Sequence, residues 1–170
     1  MLSLANEAAA TGVANFATEP ESIAEWEDAF TRSNERFPWL VAERDGGGVA
    51  GFAKASPYRT RGAYLWTAEV TVYVEPSRHR RGVGFALYRE LIDTLVAQGF
   101  VTLVACITRG QEASERLHER SGFVRSGWLH RAGYKFGAWH DIGLWERGAA
   151  SRSAGAAPAP PKRVRDVRAR

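Results

Sequence analysis

Apolar and polar positions change their period several times along this chain, and each change marks an element. In ESIAEWEDAFTRSNERF, Ile23, Trp26, Ala29 and Phe30 recur at helical spacing behind Pro20, Glu21 and Ser22, which predicts an amphipathic helix. WLVAERDGGGVAGFAKASPY carries two apolar runs around a turn-forming cluster from Asp45 to Gly48 and reads as a β-hairpin. A dinucleotide loop is rejected for these glycines, because it needs a helix after them and VAGFAKA continues as strand. LWTAEVTVYVEP, β-branched and aromatic, is the next strand and is halted by Pro76. Leu87, Leu91 and Leu95 follow every four residues with Ile92 and Val96 beside them, the buried stripe of a helix that ends before Gly99. FVTLVACI reads as an apolar strand buried on both faces, and EASERLHERSGF as a short helix closed by Gly122. Strands near Val124 to Leu129 and Asp141 to Glu146 complete the order, which predicts an α+β fold with a mixed sheet.

Composition narrows the class. With 170 residues, 45% of them hydrophobic and 11% aromatic, the chain can bury one core, which predicts a soluble globular domain. No apolar run reaches the length of a membrane span, and MLSLANEAAATG lacks the basic and apolar parts of an export signal, so a cytoplasmic location is expected. A lone Cys106 excludes an internal disulfide and a thiolate zinc site, and no metal is expected. The net charge of +4 is concentrated in residues 148–170, GAASRSAGAAPAPPKRVRDVRAR, while the rest is slightly acidic. That Ala- and Pro-rich tail has no aromatic side chain to bury and is expected to be disordered in isolation. Such a tail can touch nucleic acid, or it can be a solvated extension with no partner.

The junction TVYVEPSRHRRGVGFALYREL holds the candidate chemistry. A strand ends, Arg78, His79, Arg80 and Arg81 crowd together, and a helix begins through Gly82 and Gly84. Glycines let a backbone approach a ligand, and a helix start offers unpaired N–H groups and the positive end of its dipole. Together with the arginines this forms a cradle for an anion such as a polyphosphate. A tight turn with solvated arginines has the same spacing.

The stretch resembles the acetyl-CoA pyrophosphate loop of the GCN5-related N-acetyltransferases (GNAT), with His79, Gly82 and Gly84 in its patterned positions. NFATEP, ERFPWLVAE, AYLWTAEVTVYV, LVAQGF, ASERLHERSGF and AGYKFGAWHDIGLWE extend the resemblance, in order, to the phosphinothricin acetyltransferase subfamily over residues 3–147. The resemblance implies a GNAT fold for residues 1–147, with acetyl-CoA as co-substrate. On the cofactor side it implies Val72, Tyr73 and Val74 on the strand, His79, Arg80, Arg81, Gly82, Val83 and Gly84 in the loop, and Gln111 and Ser114 on the next helix. The chain departs from the pattern in His79, where Gln or Arg is usual and where the backbone N–H is expected to matter most. It departs again in Gln111, where Asn is typical. Family members begin with an extra strand, and this chain starts inside the helix that follows it, so a sheet without that first strand, or a start placed too late, is expected.

Acetyl transfer to an amine needs a base for the ammonium, polarisation of the thioester and help for the leaving thiolate. The resemblance maps Glu69 onto the general base and His118 onto a histidine near the thioester. It places Arg59, Arg61 and Tyr64 on the substrate side, with Phe16 and Tyr73 walling the amino acid, and Arg is suited to bidentate carboxylate binding. Tyr134, Lys135, Trp139 and His140 are expected to close the pocket near the partner of a homodimer. Each of these residues also has a plain reading, as strand glutamate, helix-surface histidine, basic loop or core aromatic. Three functions stay open: an N-acetyltransferase for a small amino acid such as phosphinothricin or methionine sulfoximine, an acetyltransferase for a peptide, polyamine or drug amine, and a non-catalytic acetyl-CoA-binding module.

Overall fold

The computed structural model describes residues 1–149 and 159–168. Two helices, α1 (Leu2–Thr11) and α2 (Ile23–Ser33), precede the hairpin of β1 (Trp39–Glu43) and β2 (Val49–Pro57). Next come β3 (Thr67–Val74), α3 (Val83–Gln98), β4 (Thr102–Thr108), α4 (Glu112–Arg120) and a long hairpin of β5 (Val124–Lys135) and β6 (Ala138–Gly148). The strands form one six-stranded sheet in the order β1-β2-β3-β4-β6-β5. Among the described residues only β3 and β4 run parallel, so the expected mixed sheet is what forms.

Local chemistry explains the boundaries. Ser22 starts α2 with a capping box, its N–H donating to Glu25 Oε2 at 2.7 Å while Glu25 N–H donates to Ser22 Oγ at 3.3 Å. Gly99, at φ 96°, ends α3 in the left-handed conformation that glycine adopts without strain. The α3 stripe of Leu87, Leu91 and Leu95 packs on Ala53, Ala55, Val70 and Leu103, where small alanines let the helix lie close to the sheet. Each fully buried leucine contributes about 1.5–3 kcal/mol. On the opposite face, Trp26 of α2 meets Trp39 and Phe52 edge-on, and Lys54 Nζ sits 4.4 Å from the ring centres of both Trp26 and Trp39.

Three expectations change. Strand β4 is not buried on both faces: Leu103, Ala105 and Ile107 enter the core, but Cys106 is exposed because part of this strand borders a cleft. The last two strands run well past their expected ends, joined by Phe136 and Gly137 at φ 51° and 75°, and a phenylalanine in a left-handed turn is not a turn signal in sequence. Of the tail expected to be disordered, residues 150–158 and 169–170 lie outside the described residues, whereas 159–168 return to the domain. Lys162 and Gln98 exchange hydrogen bonds of 2.7 and 2.8 Å, and Val164 N–H donates to Glu35 O at 2.8 Å. The segment has little apolar surface of its own, but the buried Gln98 amide offers it a polar partner. Arg163 and Arg168 lie 3.7 and 3.2 Å from Glu35 and Glu90, so part of the tail's charge is spent within the domain.

Candidate active site

Strands β3 and β4 pair over three residues only, ending at Glu69↔Val104. Beyond that point β3 stays paired with β2, and β4 with β6, but no ladder joins β3 to β4. A cleft of about 1110 Å³ opens between them. Glu75 N–H donates to Ala50 O, so by alternation the main-chain groups of Tyr73 face β2, while the N–H and C=O of Val72 and the N–H of Val74 face the cleft without a strand partner and can meet a bound molecule.

At one end of the cleft is the candidate anion cradle. Gly82 caps α3 at φ 82° with no side chain bonded over the helix start, and Arg80 is also left-handed at φ 60°. This leaves the amides of the first turn, including those of Val83 and Gly84, open toward the cleft, as in a backbone nest for anions. Arg78, His79 and Arg80 line the cleft, whereas Arg81 does not. Gly84 has a different reason from the one its motif implies: a Cβ there would meet Val74 Cγ2 at 3.2 Å and Leu117 Cδ2 at 3.4 Å, so it lets the helix pack tightly. His79 also does more than present its backbone. Its Nε2 lies 2.9 Å from Val74 O and, carrying the ring hydrogen, ties the loop to the end of β3. Gln111, at the N-cap of α4, and Ser114, in its first turn, form the facing wall.

Where β3 and β4 part, alternation along β3 turns Glu69, Thr71 and Tyr73 to the face opposite α3. Burial holds the Glu69 carboxyl above its ordinary range, offset in part by a hydrogen bond from Cys106. Although Cys106 is exposed to the cleft, the surrounding protein removes enough water to push its thiol up to about 11, with the Glu69 charge adding to the shift. His118, 4% exposed, is satisfied at both nitrogens. Its Nδ1 lies 2.7 Å from Ser114 O, which can only accept, so Nδ1 carries the hydrogen and Nε2 accepts from Tyr88 O–H at 2.7 Å. Burial lowers the pKa of this imidazole and raises that of Tyr88, so the pair is neutral. Tyr88 and Cys106 were missed in the sequence. Tyr88 had a signal, since a tyrosine in a buried helical stripe needs a partner for its hydroxyl; Cys106 had none.

The other end gathers Phe16, Asn15 and Tyr73, whose hydroxyl is pushed up to about 12 chiefly by burial. Thr108 Oγ1 donates to Val13 O at 2.6 Å and joins β4 to the segment before Phe16. Arg59, Arg61 and Tyr64 are not brought to the cleft; they lie exposed between β2 and β3, where the Arg59 guanidinium is 5.2 Å from the Tyr58 ring centre. The hairpin residues divide. Tyr134 and Trp139 pair at 5.3 Å on the exposed side, whereas Lys135 turns toward the residues preceding Phe16 and the His140 ring lies 6.0 Å from that of Phe16. Among the described residues no three His, Cys, Asp or Glu side chains group as a metal site requires.

A strand pair that parts beside a helix-start cradle is thus joined to a buried carboxylate in one cleft. The sequence profile of the Acetyltransferase (GNAT) family matches residues 2–123. This chain belongs to the GNAT family. It is 46% identical over 157 residues to the phosphinothricin N-acetyltransferase of Streptomyces viridochromogenes, covering 92% of this chain and 82% of the relative. The L-methionine sulfoximine/L-methionine sulfone acetyltransferase of Pseudomonas aeruginosa is 35% identical over 143 residues, 84% of this chain and 83% of that one. A crystal structure of a GNAT phosphinothricin acetyltransferase from Sinorhizobium meliloti in complex with AcCoA superposes with a TM-score of 0.83 at 31% identity, over 92% of this chain and 88% of the other. The resemblance read from the sequence, and with it the GNAT fold, is borne out.

Proposed function

We propose that this GNAT protein transfers the acetyl group of acetyl-CoA to the α-amino group of a small amino acid of the phosphinothricin or methionine sulfoximine kind. The observation that carries the reading is Glu69, a half-buried carboxylate where β3 and β4 part, in the same cleft as the amides and arginines at the start of α3. The named activities of the relatives support the substrate class. The first turn of α3, with Arg78 and Arg80, holds the pyrophosphate, and the free amides of β3 at Val72 and Val74 hold the pantetheine arm and then the oxyanion. Glu69 takes one proton from the substrate ammonium, directly or through a water. The freed nitrogen lone pair attacks the thioester carbon, and the carbonyl pair moves to oxygen. Collapse restores the carbonyl and breaks the C–S bond, and one remaining proton on nitrogen passes to the departing thiolate or to solvent. Tyr88, with its pKa raised, keeps its proton, and its single O–H, donated to neutral His118 Nε2 in the resting site, turns to the thiolate as charge develops on sulfur.

The catalytic domain spans residues 1–147 and works in the cytoplasm, where acetyl-CoA is supplied. It acts as a homodimer through the exposed Tyr134, Phe136 and Trp139 at the tip of the long hairpin; sedimentation of the wild type as a monomer at micromolar concentration would reject the dimer. Thiol release from acetyl-CoA, measured against amino acids, polyamines and aminoglycosides, tests the activity. Turnover confined to amino acids is expected. Turnover of polyamines or aminoglycosides alone would replace the substrate class, and none with any amine would leave a binding module.

A further inference from the structure

The hairpin of β5 and β6 reaches across to the chain's N-terminal end and grips it at two points. Lys135, 7% exposed, directs its ammonium at three main-chain oxygens: Ala9 O at 2.6 Å, Asn15 O at 2.7 Å and Gly12 O at 3.3 Å. Ala9 lies in the last turn of α1, where the helix dipole is negative and carbonyls lack helical partners. Three acceptors match the three hydrogens of an ammonium, so this buried charge is fully used and holds the end of α1 and the residues after it in one arrangement. The second grip is at Gly133, where a Cβ would come within 2.1 Å of Phe16 Cε2, so the Phe16 ring rests in the space a side chain would fill. The hairpin thereby sets residues 12–16, which form one wall of the cleft. Nothing in the proposed chemistry uses Lys135 directly.

We propose that Lys135 is a positioning residue for the amino-acid substrate: its ammonium fixes residues 12–16, and through them Phe16, as the wall against which the amine is held. This rests on the acetyl-transfer reading for its kinetic consequence but not for its structural one. The cofactor cradle lies at the other end of the cleft and makes no use of these bonds. The expected signature is therefore a rise in KM for the amine with that for acetyl-CoA unchanged.

The test compares Lys135→Met, which keeps the length but loses every donor, with Lys135→Gln, which keeps an NH₂ group. In folded protein, hydrogen exchange of the residues 12–17 amides should speed up in the order wild type, Gln, Met, while α3 and β4 exchange as before. Hydrogen bonds to a charged group correspond to about 10- to 100-fold in an equilibrium, so the amine KM in Lys135→Met should rise at least about tenfold, with acetyl-CoA KM within about twofold. Gly133→Ala, which displaces Phe16 with the lysine in place, should raise the amine KM in the same way. Unchanged exchange of residues 12–17 in a folded Lys135 variant would overturn the proposal, as would equal rises in both KM values. Wild-type protein that acetylates no amine would defeat the functional reading alone, because the exchange measurement still decides the role of Lys135. If Lys135→Met does not fold, the same measurements on Lys135→Gln decide it.

Discussion

At the cofactor end of the cleft, residues 72–84 run from strand through loop to helix without a break, whereas the amino-acid end draws on residues 12–16, Glu69, Tyr73, Thr108 and a hairpin more than a hundred residues from the N-terminus. The first is held by local means: left-handed backbone at Arg80 and Gly82, a helix start without a side-chain cap, and the His79 ring bonded to Val74 O five residues away. The second is held by contacts far apart in sequence, such as Thr108 to Val13 and Lys135 to Ala9. A locally built site depends mainly on its own residues, while one assembled at long range can be lost by a change that never touches the ligand. The two ends should therefore fail separately.

The largest effect is expected at the joint between them. Glu69→Gln should lower kcat by about 10²–10⁴-fold while calorimetry gives unchanged acetyl-CoA affinity, because the loss is in proton transfer. Burial raises the folded pKa of Glu69, and a base acts only when ionised. Activity of the wild type should accordingly fall as pH is lowered through a value above the ordinary 4.5, and the variant should lack that limb. Cys106→Ala removes a bond that lowers the Glu69 pKa, so the limb should move to higher pH. A limb that stays in place would separate Cys106 from the base.

Next in size is a break confined to the cofactor end. A side chain at Gly82 adopts a left-handed backbone costing about 1–2 kcal/mol, and Asp adds a charge opposed to phosphate, so Gly82→Asp should weaken acetyl-CoA binding by more than about tenfold. Space itself is not the reason, since nothing lies within 4 Å of a Cβ at Gly82. Gly84→Asp differs, because it crowds Val74 and Leu117, and calorimetry with a melting curve should show weaker binding together with lower Tm. Equal affinity in the Gly82 variant would remove the cradle.

A smaller loss should follow Tyr88→Phe, which removes the one O–H that serves His118 Nε2 at rest and the thiolate during the reaction. A net hydrogen bond of about 0.5–1.5 kcal/mol corresponds to a fall in kcat of roughly 2- to 13-fold, with both KM values near wild type. The smallest effect is expected for Arg59→Ala and Arg61→Ala. Exposed side chains away from the cleft change free energies by about 0.5 kcal/mol or less, so the amine KM should stay within about twofold. A tenfold rise would mean that the segment between β2 and β3 closes over the substrate and restores the role implied for these arginines.

The cofactor end was legible because its evidence is contiguous: Pro76 stops a strand, Gly82 opens a helix start, and the Leu87, Leu91, Leu95 stripe states which way the helix faces. Glu69 and His118 were legible only through the family's motifs, since a lone strand glutamate and a helix histidine carry no signal of their own. Periodicity also hid the long arms of β5 and β6. They cross a register shift between Leu129 and Gly133, and their turn sets a phenylalanine at positive φ.

By itself, then, the sequence determined the order of elements, the mixed sheet and the anion-binding junction, because helix stripes, strand alternation and glycine turns act over a few residues. Tertiary structure decided what those elements enclose. It opened β3 from β4 after Glu69, set Cys106 beside that carboxylate, gave both nitrogens of His118 their partners, and left Arg59 and Arg61 outside the cleft. It also brought Lys162 back to Gln98. Most of these outcomes depend on where residues distant in the chain come to lie, and the free energies involved depend on burial and distance, neither of which exists until the sheet has formed.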